Sequence, residues 1–269
     1  MSHANELNCL WIPNVREKLK SLPFNIEEAW KNKNEAFQVP DAPGRDLPVL
    51  ERGRRGERRG FSHPEGQARL LHDLASIELQ AMELAYRSFV EFPNAPSEFR
   101  EQMAELALSE SEHLTLCLDR LEEYGFQWGH WPVYLSLWNS VSREDSLLDR
   151  LLIVHRYLEA SGLDAGVSLL RKLAQSHSPA LTQVVKKITE EEVDHVAFGS
   201  RWYQFFCREQ RLDADHDFKQ RLSVLSVQLP KRFEVIDPQV RQRAGFTEAE
   251  VKAAQELREQ FLQEKKSSI

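Results

Sequence analysis

The chain has 269 residues, 41% hydrophobic and 29% charged, with a formal net charge of -7 at pH 7. That length holds one large domain or two small ones with a sizeable core, and the acidic balance speaks against bulk nucleic-acid binding. Cys9, Cys117 and Cys207 lie far apart, with no Cys-x-x-Cys pair among them, which suits a reducing compartment.

The start, MSHANELNCLW, lacks the basic region and apolar core of a signal peptide, and no apolar run is long enough to cross a bilayer. Alternating strand patterns are missing, whereas Leu, Ala, Glu, Gln, Lys and Arg, all good helix formers, dominate long stretches. The expectation is a cytoplasmic, all-α protein.

Residues 1–62 read as an irregular N-terminal extension, broken by Pro13, Pro23, Pro40, Pro43 and Pro48. It ends in the glycine- and arginine-rich run ERGRRGERRG (51–60), read as a solvated connector or as a contact for an anionic partner. A first long helix is expected from about Pro64 to Phe92, since Pro64 suits a first turn and Pro93 stops the helix. A second begins near Ser97, taken as N-cap, and ends before Gly125. The aromatic-rich run GFQWGHWPVYLSLWNSV then reads as a long crossover, with Trp128, Trp131, Tyr134 and Trp138 either packing or lining an access path. A third helix is expected from Ser142, where Ser142 and Asp145 resemble a capping box, to about Ser161. Gly162 and Gly166 weaken the pattern beyond it. A fourth long helix runs from Ser178-Pro179 to about Gln210. The tail carries a short helix near 217–227, an irregular piece around 230–238 and a last helix opening at Thr247, with Glu250 three residues on. Four helices with the long connection in the middle make a bundle with one crossover over residues 63–211, and residues 212–269 form a helical extension packed on it.

Each of the four helices has an apolar stripe, and polar residues interrupt all four. Glu78 lies along Leu70, Leu74, Ile77, Ala81 and Ala85. Glu110 and His113 stand between Ala107 and Cys117. His155 and Glu159 follow Leu148 and Leu152, and Glu192 and His195 stand between Ile188 and Gly199. Burying unpaired carboxylates costs on the order of several kcal/mol each, so four inward glutamates need cations, and two divalent metal ions supply that charge. Glu110 with His113, and Glu192 with His195, form E-x-x-H, whose i and i+3 side chains share a helix face. An inward glutamate precedes each copy at nearly the same distance: 32 residues from Glu78 to Glu110 and 33 from Glu159 to Glu192. The repeated unit E…ExxH is the strongest signal in the chain. It selects Glu192 over its neighbour Glu191 and leaves Glu190 and Asp194 to face water. His155 is either a further ligand, a partner that holds Glu159, or a structural histidine. His72, His130 and His177 carry no comparable signal.

With these residues, and with the segments HDLASIELQAMELA (72–85), SESEHLTLCLDRLEEYGF (109–126), YLEASGLDA (157–165), EEEVDHVAFGSRWY (190–203) and AGFTEAEV (244–251), the chain resembles the ferritin-like superfamily of dimetal-carboxylate four-helix bundles. More narrowly it is similar to an uncharacterised bacterial ferritin-like family catalogued as a domain of unknown function. The resemblance implies two metal ions, iron or manganese, held by Glu78, Glu110, His113, Glu159, Glu192 and His195. In that scheme Glu110 and Glu192 bridge, Glu78 and Glu159 are terminal, His113 caps the ion held with Glu78, and His195 caps the one held with Glu159. It further implies an oxygen-dependent oxidoreductase or hydroxylase that uses dioxygen, a small-molecule substrate and an external electron donor, with a homodimer as the expected assembly. The chain is also similar to the tRNA-hydroxylating branch of the superfamily, which draws attention to Arg52, Arg54, Arg55, Arg58 and Arg59. The alternatives are a ferroxidase or iron-handling protein and a non-enzymatic scaffold stabilised by its metals.

Overall fold

The computed structural model describes residues 8–32, 37–50, 59–176 and 178–267. The greater part of the arginine-rich run (51–58) and His177 lie outside the described residues. The described chain is built of helices and connections, with one isolated parallel bridge between Val49 and Val133. None of its helices is long and apolar enough to cross a membrane. It divides into two compact units, 1–139 and 140–269.

In the first unit, α1 (Val15–Lys31), α2 (Pro64–Glu91) and α3 (Ser97–Glu123) pack together, with α2 and α3 as the main pair. Helix α1 corrects the expectation of an irregular N-terminal extension. The Asn14 side chain caps it by accepting from the amides of Arg16 and Glu17, and Pro23 is carried inside it. Its buried face is Val15, Lys18, Leu22, Asn25 and Ala29, helical in spacing but partly polar, so hydrophobic periodicity does not reveal it. Lys18 is buried because it pairs with the fully buried Glu83 of α2, which also accepts two hydrogen bonds of 2.6 Å from Arg45.

Helix α2 begins with Pro64 in its first turn, and α3 closes at Gly125. Gly125 takes φ +79° while the Phe126 amide reaches back to Leu121 O at 3.2 Å, a left-handed cap that glycine tolerates best. The cap position of α3 is Pro96, and Ser97 is its first helical residue. The stripe on α2 is rotated from the expected one. Leu71, Ala75, Leu79 and Met82 are buried, whereas Ile77 is exposed and Leu70 and Leu74 are half-buried. Glu78 remains on the buried side.

The aromatic connection after α3 packs on this unit. Gln80 accepts from the Leu137 and Trp138 amides at 3.2 and 3.3 Å and donates to Tyr134 O at 3.0 Å, and the Trp138 indole donates to Asp41 O at 2.8 Å. Trp138 is buried, and Trp128 stacks on His72 at 4.8 Å.

In the second unit a short α4 (Leu147–Leu151) widens into a π-helical segment (Leu152–Glu159) and continues as α5 (Ala160–Leu173). This run packs along α6 (Pro179–Glu209), with α7 (Ala214–Leu225), α8 (Pro238–Arg243) and α9 (Glu248–Ser267) around it. The capping box lies one turn later than expected. Ser146 and Asp149 exchange both bonds, at 3.2 and 2.9 Å. Ser142 and Asp145 instead close a turn, where the Asp145 carboxylate accepts from the Ser142 amide at 2.8 Å and the Ser142 hydroxyl accepts from the Glu144 amide at 3.2 Å. Gly162 and Gly166 do not end the helix. Gly166 leaves room for Thr189 of α6, against which a methyl group would collide. At the start of α9, Thr247 and Glu250 form the expected capping box, at 2.8 and 3.1 Å.

Candidate metal centre

In the first unit, Glu78 comes from α2, and Glu110 and His113 come from one face of α3. All three are buried. His113 Nδ1 stands 3.4 Å from Glu110 Oε2 and 3.5 Å from Glu78 Oε2. Burial alone would push this imidazole toward its neutral form, but hydrogen bonding and charge from Glu110 and Glu78 outweigh burial and raise its pKa to about 11. One turn further on, Cys117 is buried, and burial with the Glu78 charge drives its thiol well above the ordinary range, so it is an inert thiol here.

In the second unit, Glu159 ends the π-helical segment and His155 lies one turn earlier. His155 Nδ1 is 2.8 Å from Glu159 Oε2, both residues are buried, and Glu159 Oε1 and His155 Nε2 have no hydrogen-bond partner among the described residues. A π turn holds more residues than an α turn, and such widenings recur at functional sites. This one sets the i and i+4 residues side by side. On α6, His195 Nδ1 is 3.7 Å from Glu192 Oε1, and both residues are buried. Around them, Glu190 and Asp194 are exposed, Glu190 meets Lys186 at 3.7 Å and Glu191 pairs with Lys187. Gly199, one turn after His195, lets α6 approach the π-helical segment. An added methyl there would lie inside contact distance of His155 Cβ.

Glu110, His113, Glu192 and His195 each offer a ligand atom within 4.8 Å of the others. A buried cluster of two carboxylates and two imidazoles at that separation could hold a metal ion. Glu78 adjoins it through His113, and Glu159 is tied to His155.

Two features of these surroundings were not read from the sequence. Gly199 carries a local signal, a glycine inside a helix one turn from a buried histidine. The buried Glu83, Lys18 and Arg45 group carries none, because its members lie 65 and 38 residues apart along the chain.

Comparison with known proteins adds a family. An uncharacterized protein of Haemophilus influenzae is 31% identical over 214 residues, which is 77% of this chain and 74% of that protein. No solved structure matches. Residues 12–252, a span that takes in all the helices of both E…ExxH units, match the family described as "Protein of unknown function (DUF455)", and the chain belongs to that family.

Proposed function

We propose that this chain is a dinuclear metal-carboxylate protein of ferritin-like architecture, and that it works as an oxygen-dependent oxidoreductase on a small molecule. The observation that carries the reading is the buried group Glu110, His113, Glu192 and His195, with ligand atoms within 4.8 Å of one another. The donor set fits the proposed ions. Carboxylate oxygens and imidazole nitrogens suit iron or manganese, whereas a closed structural zinc site would be richer in cysteine. Glu159 Oε1, buried and without a partner, is an acceptor that a cation would satisfy. Two divalent ions would also balance the buried charge of Glu78, Glu110, Glu159 and Glu192.

On this reading the two ions would be held by Glu78, Glu110 and His113 from the first helix pair and by Glu159, Glu192 and His195 from the second. A reduced metal pair, when bound, supplies the electrons that dioxygen chemistry requires, with an external donor restoring them. The chain's own residues do the rest. Burial of all six keeps bulk water out and strengthens every electrostatic interaction among them. His155 is a positioning residue: its bond to Oε2 fixes the Glu159 carboxylate so that Oε1 is the oxygen offered. Six protein donors leave room on both ions for dioxygen or water.

Elemental analysis tests this on protein made in iron-replete cells, beside the double variant Glu192→Ala, His195→Ala. About two iron or manganese ions per chain are expected, as in other dimetal-carboxylate bundles, and the variant should lose them. A metal-free wild type that is as stable as the variant would overturn the reading. With metal bound, sustained oxygen uptake in the presence of a chemical reductant then separates an oxygen-using centre from a scaffold that only binds its ions.

A further inference from the structure

Helix α1 buries one face and leaves the other to solvent. Glu17, Lys20, Phe24, Glu27 and Lys31 are all exposed, and they follow one another at alternating steps of three and four residues. Side chains so spaced line up as one seam along a helix. At the centre of the seam Phe24 is 49% exposed. At its edge Trp30 is 36% exposed yet held in place, stacked on Phe89 at 5.9 Å and lying over the Arg100 guanidinium at 4.6 Å. Among the described residues the exposed Trp, Phe and Tyr side chains are Trp11, Phe24 and Trp30, and all three stand on α1 or just before it. Exposed aromatic residues of this kind anchor protein interfaces.

The charges of the seam say which partner fits. Read forward it runs acid, base, Phe, acid, base, and read backward it runs base, acid, Phe, base, acid. A second copy laid antiparallel, with a two-fold axis beside Phe24, meets opposite charge at each step. Glu17 of one protomer faces Lys31 of the other, Lys20 faces Glu27, and the two Phe24 rings meet. A parallel copy in register would set like charge on like. Within the chain Lys31 reaches Glu27 at 2.7 Å, an exposed contact of the kind that exchanges readily with an opposing copy. A self-complementary contact of this form closes at two copies. We infer that the outer face of α1 is a dimerisation surface, and that its occupant is the α1 of a second copy, packed antiparallel about Phe24. One helix pair buries an area at the low end of specific interfaces, so the association is weak, with a Kd on the order of micromolar. The surface is independent of the metal centre, whose residues lie on other helices.

Sedimentation velocity of the full chain tests it, from about 1 to about 100 µM and at low salt and about 0.5 M sodium chloride. A monomer–dimer equilibrium is expected, weakened about tenfold by the salt. Phe24→Glu should be monomeric throughout, and at low protein concentration it should melt as the wild type does, since Phe24 lies on the outer face. Two charge-swapped proteins test the register: one carries Glu17→Lys and Lys20→Glu, the other Glu27→Lys and Lys31→Glu. Each alone sets like charge on like at every pair and should be monomeric. Mixed in equal amounts they restore every pair and should form a one-to-one heterodimer. A wild type that stays monomeric, a Phe24→Glu protein that dimerises as the wild type does, or swapped proteins that melt normally yet fail to pair when mixed would each overturn the assignment.

Discussion

His72 shows how a buried histidine can be held by ring packing and one hydrogen bond, although its Nδ1 finds no partner among the described residues. Its Nε2 accepts from the Gly129 amide at 3.2 Å, Trp128 stacks on one face and Trp131 meets it edge-on at 5.4 Å. Accepting through Nε2 requires the neutral ring. Burial accordingly lowers its pKa to about 4, against opposing help from the Asp73 charge. The sign follows: the unfolded chain binds this proton near pH 6.5 and the folded one only near pH 4. The stabilisation is therefore complete above pH 6.5 and is lost as the pH falls toward 4. A shift of that size is on the order of 2–3 kcal/mol. Urea unfolding at pH 7 and at pH 4.5 should show a fall of that order in the wild type and a smaller one in His72→Asn. Equal falls in both would mean that other groups carry the acid sensitivity. The sequence distinguishes such residues unevenly. Glu110, His113, Glu192 and His195 stand out because each interrupts an apolar stripe and the spacing repeats. Glu83 is just as buried as Glu110, yet it was passed over, because the residues that compensate it belong to distant parts of the chain.

Among the elements, the third bundle helix, expected over about 142–161, instead starts at Leu147 and runs on through α5 to Leu173, but the other three were legible to within a residue or two because capping and stop signals flank them: Pro64, Gly125 and Pro179 all act where expected. Helix α1 was not, since its buried face includes Lys18 and Asn25. Nor was the π-helical widening at 152–159, since an inserted turn residue leaves the local propensities unchanged. Glycine in α5 and α6 makes the same point in measurable form. By propensity alone, alanine stabilises a helix interior by roughly 0.5–1 kcal/mol over glycine. At Gly162 an added methyl meets nothing within 4 Å, so Gly162→Ala should stabilise by about that amount. At Gly199 the methyl meets the His155 Cβ, and overpacking of this kind costs about 1–3 kcal/mol, more than the propensity gain. Gly199→Ala should therefore destabilise, and by moving His155 it should also loosen the hold on Glu159. Opposite signs for the two substitutions in denaturant unfolding are expected, and equal signs would show that α6 does not depend on this close approach.

Taken across the whole chain, buried charge is generally matched by a side chain of opposite sign. Glu83 meets Lys18 and Arg45, Glu250 meets Arg156, and Asp164 meets Arg241. The candidate centre is built differently. There the groups beside the carboxylates are imidazoles: His113 for Glu78 and Glu110, His155 for Glu159, and His195 for Glu192. An imidazole can give up its proton and ligate, which an arginine cannot do, so among the described residues this is the buried charge group whose chemistry is open to exchange with a metal. If metal binds the folded chain and not the unfolded one, it stabilises by RT ln(1 + [L]/Kd), about 4 kcal/mol at a thousandfold excess over Kd. For a chain of this length that is a rise in melting temperature on the order of 10 °C. Chelator-treated protein should melt lower than protein supplied with iron(II) or manganese(II) under anaerobic conditions, with a midpoint that climbs with metal concentration. The Glu192→Ala, His195→Ala variant should show no climb. A variant that climbs like the wild type would place the stabilising ions elsewhere, and the buried glutamates and histidines would then have to be held by one another's protons alone.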